Sequence, residues 1–142
     1  MRIRRAHMDD APCIWSIIGP TIRAGETYPL DRDMTEANAL AYWLGEDRET
    51  FVAEESGEIL GTYYIRPNQA GGGNHICNCG YMTHTAAAGR GVARGMCEHS
   101  LEHARAVRLW QSLGFEIVGR LPAAFRHPIH GYVDALVMYR LL

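Results

Sequence analysis

The stretch His84–Met96, HTAAAGRGVARGM, constrains this chain more than any other. Residues before it alternate as a strand does, residues after it repeat at helical spacing, and Gly89, Gly91 and Gly95 stand at the junction. A strand that enters a helix through a glycine turn leaves several N–H groups without intrahelical partners, at the positive end of the helix dipole. That is a ready anion site, and phosphate is its commonest occupant. Gly89 and Gly91 let the backbone approach a phosphate closely, and Arg90 adds a movable positive charge. The plainer alternative is that these glycines only ease the entry into the helix.

The remaining elements say what surrounds the turn. MRIRR alternates as a short edge strand with Ile3 inward. Asp9 is placed to cap a first helix, Pro12 falls in its first turn, and Ile14, Trp15, Ile17 and Ile18 form its apolar stripe. Gly19–Pro20 is expected to end that helix. TIRAGETYPLDRDM reads as loop or short turns, and Thr35 caps a second helix carrying Leu40, Trp43 and Leu44. TFVAEE and ILGTYYIRP then form a hairpin about Ser56–Gly57. HICNCGYMTH is a third strand leading into the glycine turn, and GVARGMCEHSLEHARAVRLWQSLGF is helical in character. FEIVGRL and YVDALVMYRL are two more strands. Strand, two helices, three strands, helix and two strands make a mixed α+β layer fold.

Two phosphate motifs do not fit. The nucleotide loop G-x-x-x-x-G-K-[ST] needs a lysine that this segment lacks. Gly89, Gly91 and Gly95 loosely match a dinucleotide fingerprint. That fingerprint opens a βαβ unit, however, whereas this turn follows an antiparallel meander, and Glu102 lies inside the helix. With 142 residues, 47% hydrophobic, and a net charge of −2, the chain reads as one domain, residues 1–142, with no general pull toward nucleic acid or an anionic membrane. No apolar run is long enough to span a bilayer, and MRIRRAHMDD lacks the apolar core of a secretory signal. Four cysteines do not suggest a disulfide scaffold, so a reducing cytoplasm is the expected setting.

GYMTHTAAAGRGVARGMCEHSLEHA resembles the acyl-CoA-binding segment of the GCN5-related N-acetyltransferase (GNAT) family, whose pattern [Q/R]-x-x-G-x-[G/A] lies between a strand and a helix. Gly91 and Ala93 match the last two fixed positions. Ala88 stands where Gln or Arg is usual; only its backbone amide is strictly needed, and Arg90 can supply the charge. AVRLWQSLGFEIVGRL resembles the family's A-x-x-L-[Y/W]-x-x-x-G-F signature, and GYVDALVMYR resembles its closing strand. AGETYP with the Thr35 helix resembles the acceptor-side loops of small-molecule members. The resemblance implies a mostly antiparallel twisted sheet with helices on both faces. It also exposes a departure. The family has a further central strand between the glycine-turn helix and the helix matching Val107–Leu113, and here EHARA passes straight into VRLW. A strand with its turns, on the order of 15–20 residues, is missing, either by omission or excision or in a chain with a damaged site.

The implied chemistry is direct transfer of the acetyl group of acetyl-CoA to an amine, on a small molecule or a protein N-terminus. The amine must be neutral, the oxyanion needs a donor, and the thiolate must be protonated or tolerated. By the resemblance, main-chain groups of Tyr81, Met82 and His84 pair with the pantetheine arm, an N–H near Tyr81–Met82 serves the oxyanion, and the amides of Gly89, Arg90, Gly91, Val92 and Ala93 hold the pyrophosphate. Trp110 stands where the family often has a tyrosine acid, and an indole N–H cannot protonate a thiolate. Glu26 is the first candidate for the base, through water, against the reading of a solvated loop carboxylate. His127 and His130 either face the acceptor or are surface histidines, and Tyr28 and Tyr132 either line the acceptor pocket or lie in the core. An acyl-CoA-binding module without turnover is the alternative function. Homodimers are common among relatives, so a homodimer stays open here. No metal site is expected. His75, Cys77 and Cys79 on one strand are spaced about 7 Å apart, too far to close a tetrahedron, and read as packed residues. His99 and His103 read as a solvated helix face.

Overall fold

Residues 1–69, 71, 76–106 and 116–139 are described by the computed structural model. Four strands, β1 (Arg2–Arg5), β2 (Glu49–Glu55), β3 (Glu58–Pro67) and β4 (Cys77–Thr83), form an antiparallel sheet in the order β1-β2-β3-β4. Helices α1 (Ala11–Ala24) and α2 (Glu36–Trp43) connect β1 to β2, and α3 (Val92–Ala106) follows β4. Strands β5 (Glu116–His127) and β6 (Gly131–Tyr139) pair as a separate antiparallel hairpin. Among the described residues no strand joins β4 to that hairpin, in keeping with the central strand missing from the sequence. The Val107–Leu113 helix with Trp110, and His75, lie outside the described residues. No helix among the described residues is long and apolar enough to cross a membrane.

The sheet is covered on both faces, which is why β2 and β3 carry unbroken buried runs instead of simple alternation. On one face Val52, Tyr64 and Met82 meet Ile14, Ile17, Ile18 and Ile22 of α1 and Ala39 and Trp43 of α2. On the other, Phe51, Ala53, Tyr63 and Ile65 meet Val92 and Met96 of α3. Val92, Met96 and Ser100 recur every fourth residue and are buried, so they make the stripe that seats α3. Gly61 lets that helix come close: a Cβ there would lie 2.8 Å from both Met96 and Val92.

Local chemistry explains most boundaries. Ser56 (φ 53°) and Gly57 (φ 84°) both take the left-handed conformation that a tight two-residue hairpin demands. Thr35 caps α2, its Oγ1 accepting from the Asn38 amide at 3.3 Å. Three expectations need correction. Asp9 lies within a short 3₁₀ turn, and the residue before α1 is Asp10. Helix α1 continues through Gly19–Pro20 to Ala24 and stops at Gly25 (φ 66°). Pro20 removes the bond to the Ser16 carbonyl, but both residues face solvent, where water replaces the lost partner. Strand β5 runs past Leu121 to His127, with Pro122 and Ala123 absorbed in a bulge between Leu121 and Phe125.

Asp10 does more than close the 3₁₀ turn on the His7 amide. Its carboxylate takes two bonds from Arg4, at 2.7 and 2.9 Å, and one from the His7 amide at 2.7 Å, while Arg4 Nε reaches Glu54 at 2.8 Å. This joins β1, β2 and the start of α1. Arg4 holds the Asp10 carboxyl below its ordinary range. A carboxylate with a depressed folded pKa stabilises the fold above its unfolded value of about 3.9, and loses that contribution as pH falls through the folded value. Asp10→Ala is expected to cost about 2–3 kcal/mol at neutral pH, and in urea unfolding the gap between variant and parent should narrow as pH falls below about 3.9.

Candidate active site

The hydrogen-bond parity of β4 decides what that strand can offer. At its two ends the His84 N–H donates to the Leu60 carbonyl at 2.8 Å, and the Ile76 carbonyl accepts from Asn68 at 2.7 Å. The register between is unbroken. An antiparallel ladder alternates, so Gly80 and Met82 turn their N–H and C=O toward β3, while Cys79, Tyr81 and Thr83 turn theirs to the opposite edge. Among the described residues no strand occupies that edge. Tyr81 therefore presents an outward amide, and its carbonyl accepts the hydroxyl of Tyr28 at 3.0 Å.

Tyr28 comes from the loop between α1 and α2 and is held by its ring as well as its hydroxyl. It meets the edge of Trp43 at a centroid distance of 5.9 Å. Burial pushes its phenol well above the usual range, so it stays a protonated donor. Gly80 makes room for this arrangement: a Cβ there would lie 2.7 Å from Tyr64 Cε1 and 3.0 Å from the Tyr28 hydroxyl. Behind the strand, the Tyr81 hydroxyl and Ser100 Oγ are 2.5 Å apart, and Ser100 donates to the Cys97 carbonyl at 2.8 Å, tying β4 to α3.

At the C-terminal end of β4 the glycine turn sorts its amides into used and free. Ala87 donates to His84, Ala88 to Thr85 and Arg90 to Ala87. The first helical bond of α3 is Gly95 to Gly91 at 2.9 Å. Gly89, Gly91, Val92 and Ala93 are left with amides that have no carbonyl partner among the described residues, and Gly91, lacking a side chain, cannot cap its own helix. Gly89 and Gly91 both have φ 76°, and a Cβ on either would meet nothing within 4 Å. Open space over free amides at a helix N-terminus fits a diphosphate. The Arg90 guanidinium, however, is engaged by the half-exposed Glu55 carboxylate, and that pairing holds the Glu55 carboxyl below its ordinary range.

A strand edge with an outward amide, running into this turn, has clear parallels. The profile of the Acetyltransferase (GNAT) family matches residues 11–132. The chain belongs to the GNAT family. A GCN5-related N-acetyltransferase structure from Kribbella flavida is 36% identical, covers 99% of this chain and 97% of its own, and superposes with a TM-score of 0.87. The N-acetyltransferase aca1 of Schizosaccharomyces pombe is 27% identical over 82% of this chain and 72% of its own length. The fold is also that of yncA from Salmonella typhimurium, solved with its cofactor acetyl-CoA, at 21% identity, TM-score 0.81, and coverage of 100% and 94%. This GNAT chain is thus an acetyl-CoA-dependent acetyltransferase, with acetyl-CoA as co-substrate.

The expected site residues fall into three groups. Tyr81, Gly89, Gly91, Val92, Ala93 and Tyr28 lie along the β4 edge and the turn. Met82 and His84 belong to the same strand, but the Met82 amide faces β3, and the His84 amide, carbonyl and Nδ1 all have partners within the chain. The Ala88 and Arg90 amides are likewise engaged, so the free cradle runs from Gly89 and omits both. Glu26 is exposed and has no partner among the described residues, two positions from Tyr28. Tyr132 is 71% exposed on β6. His127 Nδ1 accepts the amides of Ile129 and His130 in the tight turn between β5 and β6, a surface role. His99 is a correction: its Nδ1 lies 2.7 Å from the buried Tyr63 hydroxyl and its ring packs on Phe51, so it is not on a solvated face. The side chain of His103 lies outside the described residues. Cys77 and Cys79 are partly buried against the α3-side core, and burial pushes the Cys79 thiol up to about 11.

One cluster was not foreseen. Arg48 stacks over the rings of Tyr42 and Tyr64, 4.7 Å from each centroid. Asp47 accepts from Arg48 at 2.7 and 3.0 Å and from Arg66 at 2.9 Å. Arg48 Nη1 and Arg66 Nε are nonetheless buried without a partner. An unmet charged donor costs roughly 1–3 kcal/mol, so this corner is less stable than it could be. Tyr64 and Arg66, at i, i+2, share the α1–α2 face of β3, but what brings Arg48 to them is the path of the α2–β2 connection.

Proposed function

We propose that this enzyme acetylates the free amine of a small molecule or a protein N-terminus by direct attack, with the β4 edge as the reaction floor. The observation that carries this reading is the Tyr81 amide, turned outward beside the Tyr28 hydroxyl and one short turn from the free amides of Gly89 to Ala93. The chain's own groups then divide the work. The amides of Gly89, Gly91, Val92 and Ala93 bind the diphosphate, and the dipole of α3 supplements them. The Thr83 and Cys79 main-chain groups on the same edge are available to pair with an extended arm. The Tyr81 N–H donates to the oxygen that gains charge, a fixed dipole that needs no reorganisation. Tyr28 fixes the strand edge by binding the Tyr81 carbonyl, which leaves that N–H for the substrate.

Glu26 is the proposed base, accepting the amine proton through water from the loop that also delivers Tyr28. Glu26→Gln should lower kcat roughly a hundredfold, with binding of CoA unchanged. An unaltered kcat assigns deprotonation to solvent. The whole reading is tested by thiol release from acetyl-CoA against a panel of amines, beside thermal stabilisation by CoA. Stabilisation with no thiol release for any amine overturns turnover and leaves a CoA-binding module.

A further inference from the structure

The geometry points to a subsite beside the β4 edge for an acid group on the acceptor, so that the amine acetylated here belongs to a small amino-acid-like molecule rather than a protein N-terminus. This rests on the proposed reaction at β4 and adds the class of substrate.

Two guanidinium groups, Arg48 and Arg66, share the one carboxylate of Asp47. The cluster keeps one unit of positive charge, and two of its N–H donors, Arg48 Nη1 and Arg66 Nε, are buried without a partner. The Arg48 side chain is only 6% exposed, so it is set by packing, with its plane against Tyr42 and Tyr64. The two tyrosine hydroxyls, 3.3 Å apart, border the same place. Planar guanidinium forks with free N–H groups are suited to oxyanions, which accept in pairs. The cluster opens to solvent through Arg66 and Asp47, whose side chains are 33% and 52% exposed.

Position gives the cluster its meaning. Tyr64 pairs with Gly80 and Arg66 with Asn78 across the β3–β4 ladder. The Tyr64 ring lies over Gly80, where a Cβ would also meet the Tyr28 hydroxyl at 3.0 Å. Arg48 is thus one aromatic ring away from the residue that precedes the Tyr81 amide, on the face of the sheet that Tyr28 covers. The subsite would take an acid group carried on the same small molecule as the amine at Tyr81. A peptide N-terminus has no acid group at this distance in its main chain.

The test compares L-amino acids with the matching amino acid amides as acceptors, read by thiol release from acetyl-CoA. The expected result is a kcat/KM for the acids at least thirtyfold above that for the amides, carried mainly by KM. Arg66→Met, at a partly exposed position, should bring that ratio below threefold while leaving stabilisation by CoA intact. Arg48→Lys keeps the charge but loses the fork, and should raise KM for the acids alone. Equal rates for acids and amides in the parent enzyme overturn the inference and assign the unmet N–H groups to buried water. Equal loss for both acceptors in Arg66→Met overturns it as well, since that is a structural effect. Thiol release with peptide amines but no amino acid overturns the substrate class while sparing the reaction. Absence of thiol release with every amine removes the reaction itself.

Discussion

Gly91→Glu should abolish the response to CoA while leaving the fold nearly intact. Gly91 holds φ 76° with open space where its side chain would be, so the substitution meets no clash, only left-handed strain of about 1–2 kcal/mol. The new Cβ and carboxylate fill the space above the amides of Gly89, Val92 and Ala93. That carboxylate takes the helix N-terminus for itself and repels a diphosphate. Losing two charge-assisted hydrogen bonds is worth about 4 kcal/mol, on the order of a thousandfold in affinity. In the parent, CoA at a hundredfold excess over Kd adds about 2.7 kcal/mol, a rise in melting temperature of roughly 8 °C. The variant should show none. Gly57→Glu is the matched control: φ 84°, equally open surroundings, and a place in the β2–β3 hairpin. It should carry a similar stability loss and the full response. Affinity within threefold of the parent in Gly91→Glu removes the glycine turn from the binding site.

What could be read in the sequence follows from how local each determinant is. The hairpin at Ser56–Gly57, the Thr35 cap and the turn at Gly89–Gly91 each depend on conformations that few residues accept, so the residues announce them. Pro20 misled because the cost of a proline depends on whether the carbonyl it deprives faces water, and the Ser16 carbonyl does. His99 misled for a similar reason. Its helix is amphipathic, but which flank reaches Tyr63 and Phe51 depends on where β2 and β3 lie. Tyr28 was legible as pocket or core; its ring packs beside the core on Trp43 and its hydroxyl reaches the Tyr81 carbonyl. The parity of β4 was out of reach: which of Tyr81 and Met82 offers its amide is set by the register with β3. So was the Arg48–Arg66 cluster, assembled from the α2–β2 connection and the far end of β3.

Trp43→Ala should be the most destabilising single change, and its conservative partner shows how core and site are joined. Trp43 is fully buried, meets Tyr64 edge-on at 4.9 Å and Tyr28 at 5.9 Å, and donates Nε1–H to Thr62 Oγ1 at 2.9 Å. Thr62 passes the chain on to the Phe51 carbonyl at 3.0 Å, so the indole links α2 to both β2 and β3. Removing it leaves a cavity lined by aliphatic and aromatic groups and costs about 3–5 kcal/mol, a large part of a typical domain's total. Urea unfolding should show a lower midpoint at an unchanged slope. Trp43→Phe keeps most of the volume and loses the hydrogen bond, at about 1–2 kcal/mol. The indole is also the wall that holds the Tyr28 ring, and so sets the Tyr28 hydroxyl beside Gly80 and the Tyr81 carbonyl. Trp43→Phe should therefore lower kcat by more than it weakens stabilisation by CoA, because Trp43 packs in the α1–α2 cluster whereas the phosphate cradle lies at the start of α3, on the other face of the sheet. Equal losses in both would mean that Trp43 acts only through global stability; a neutral Trp43→Ala would remove it from the core altogether.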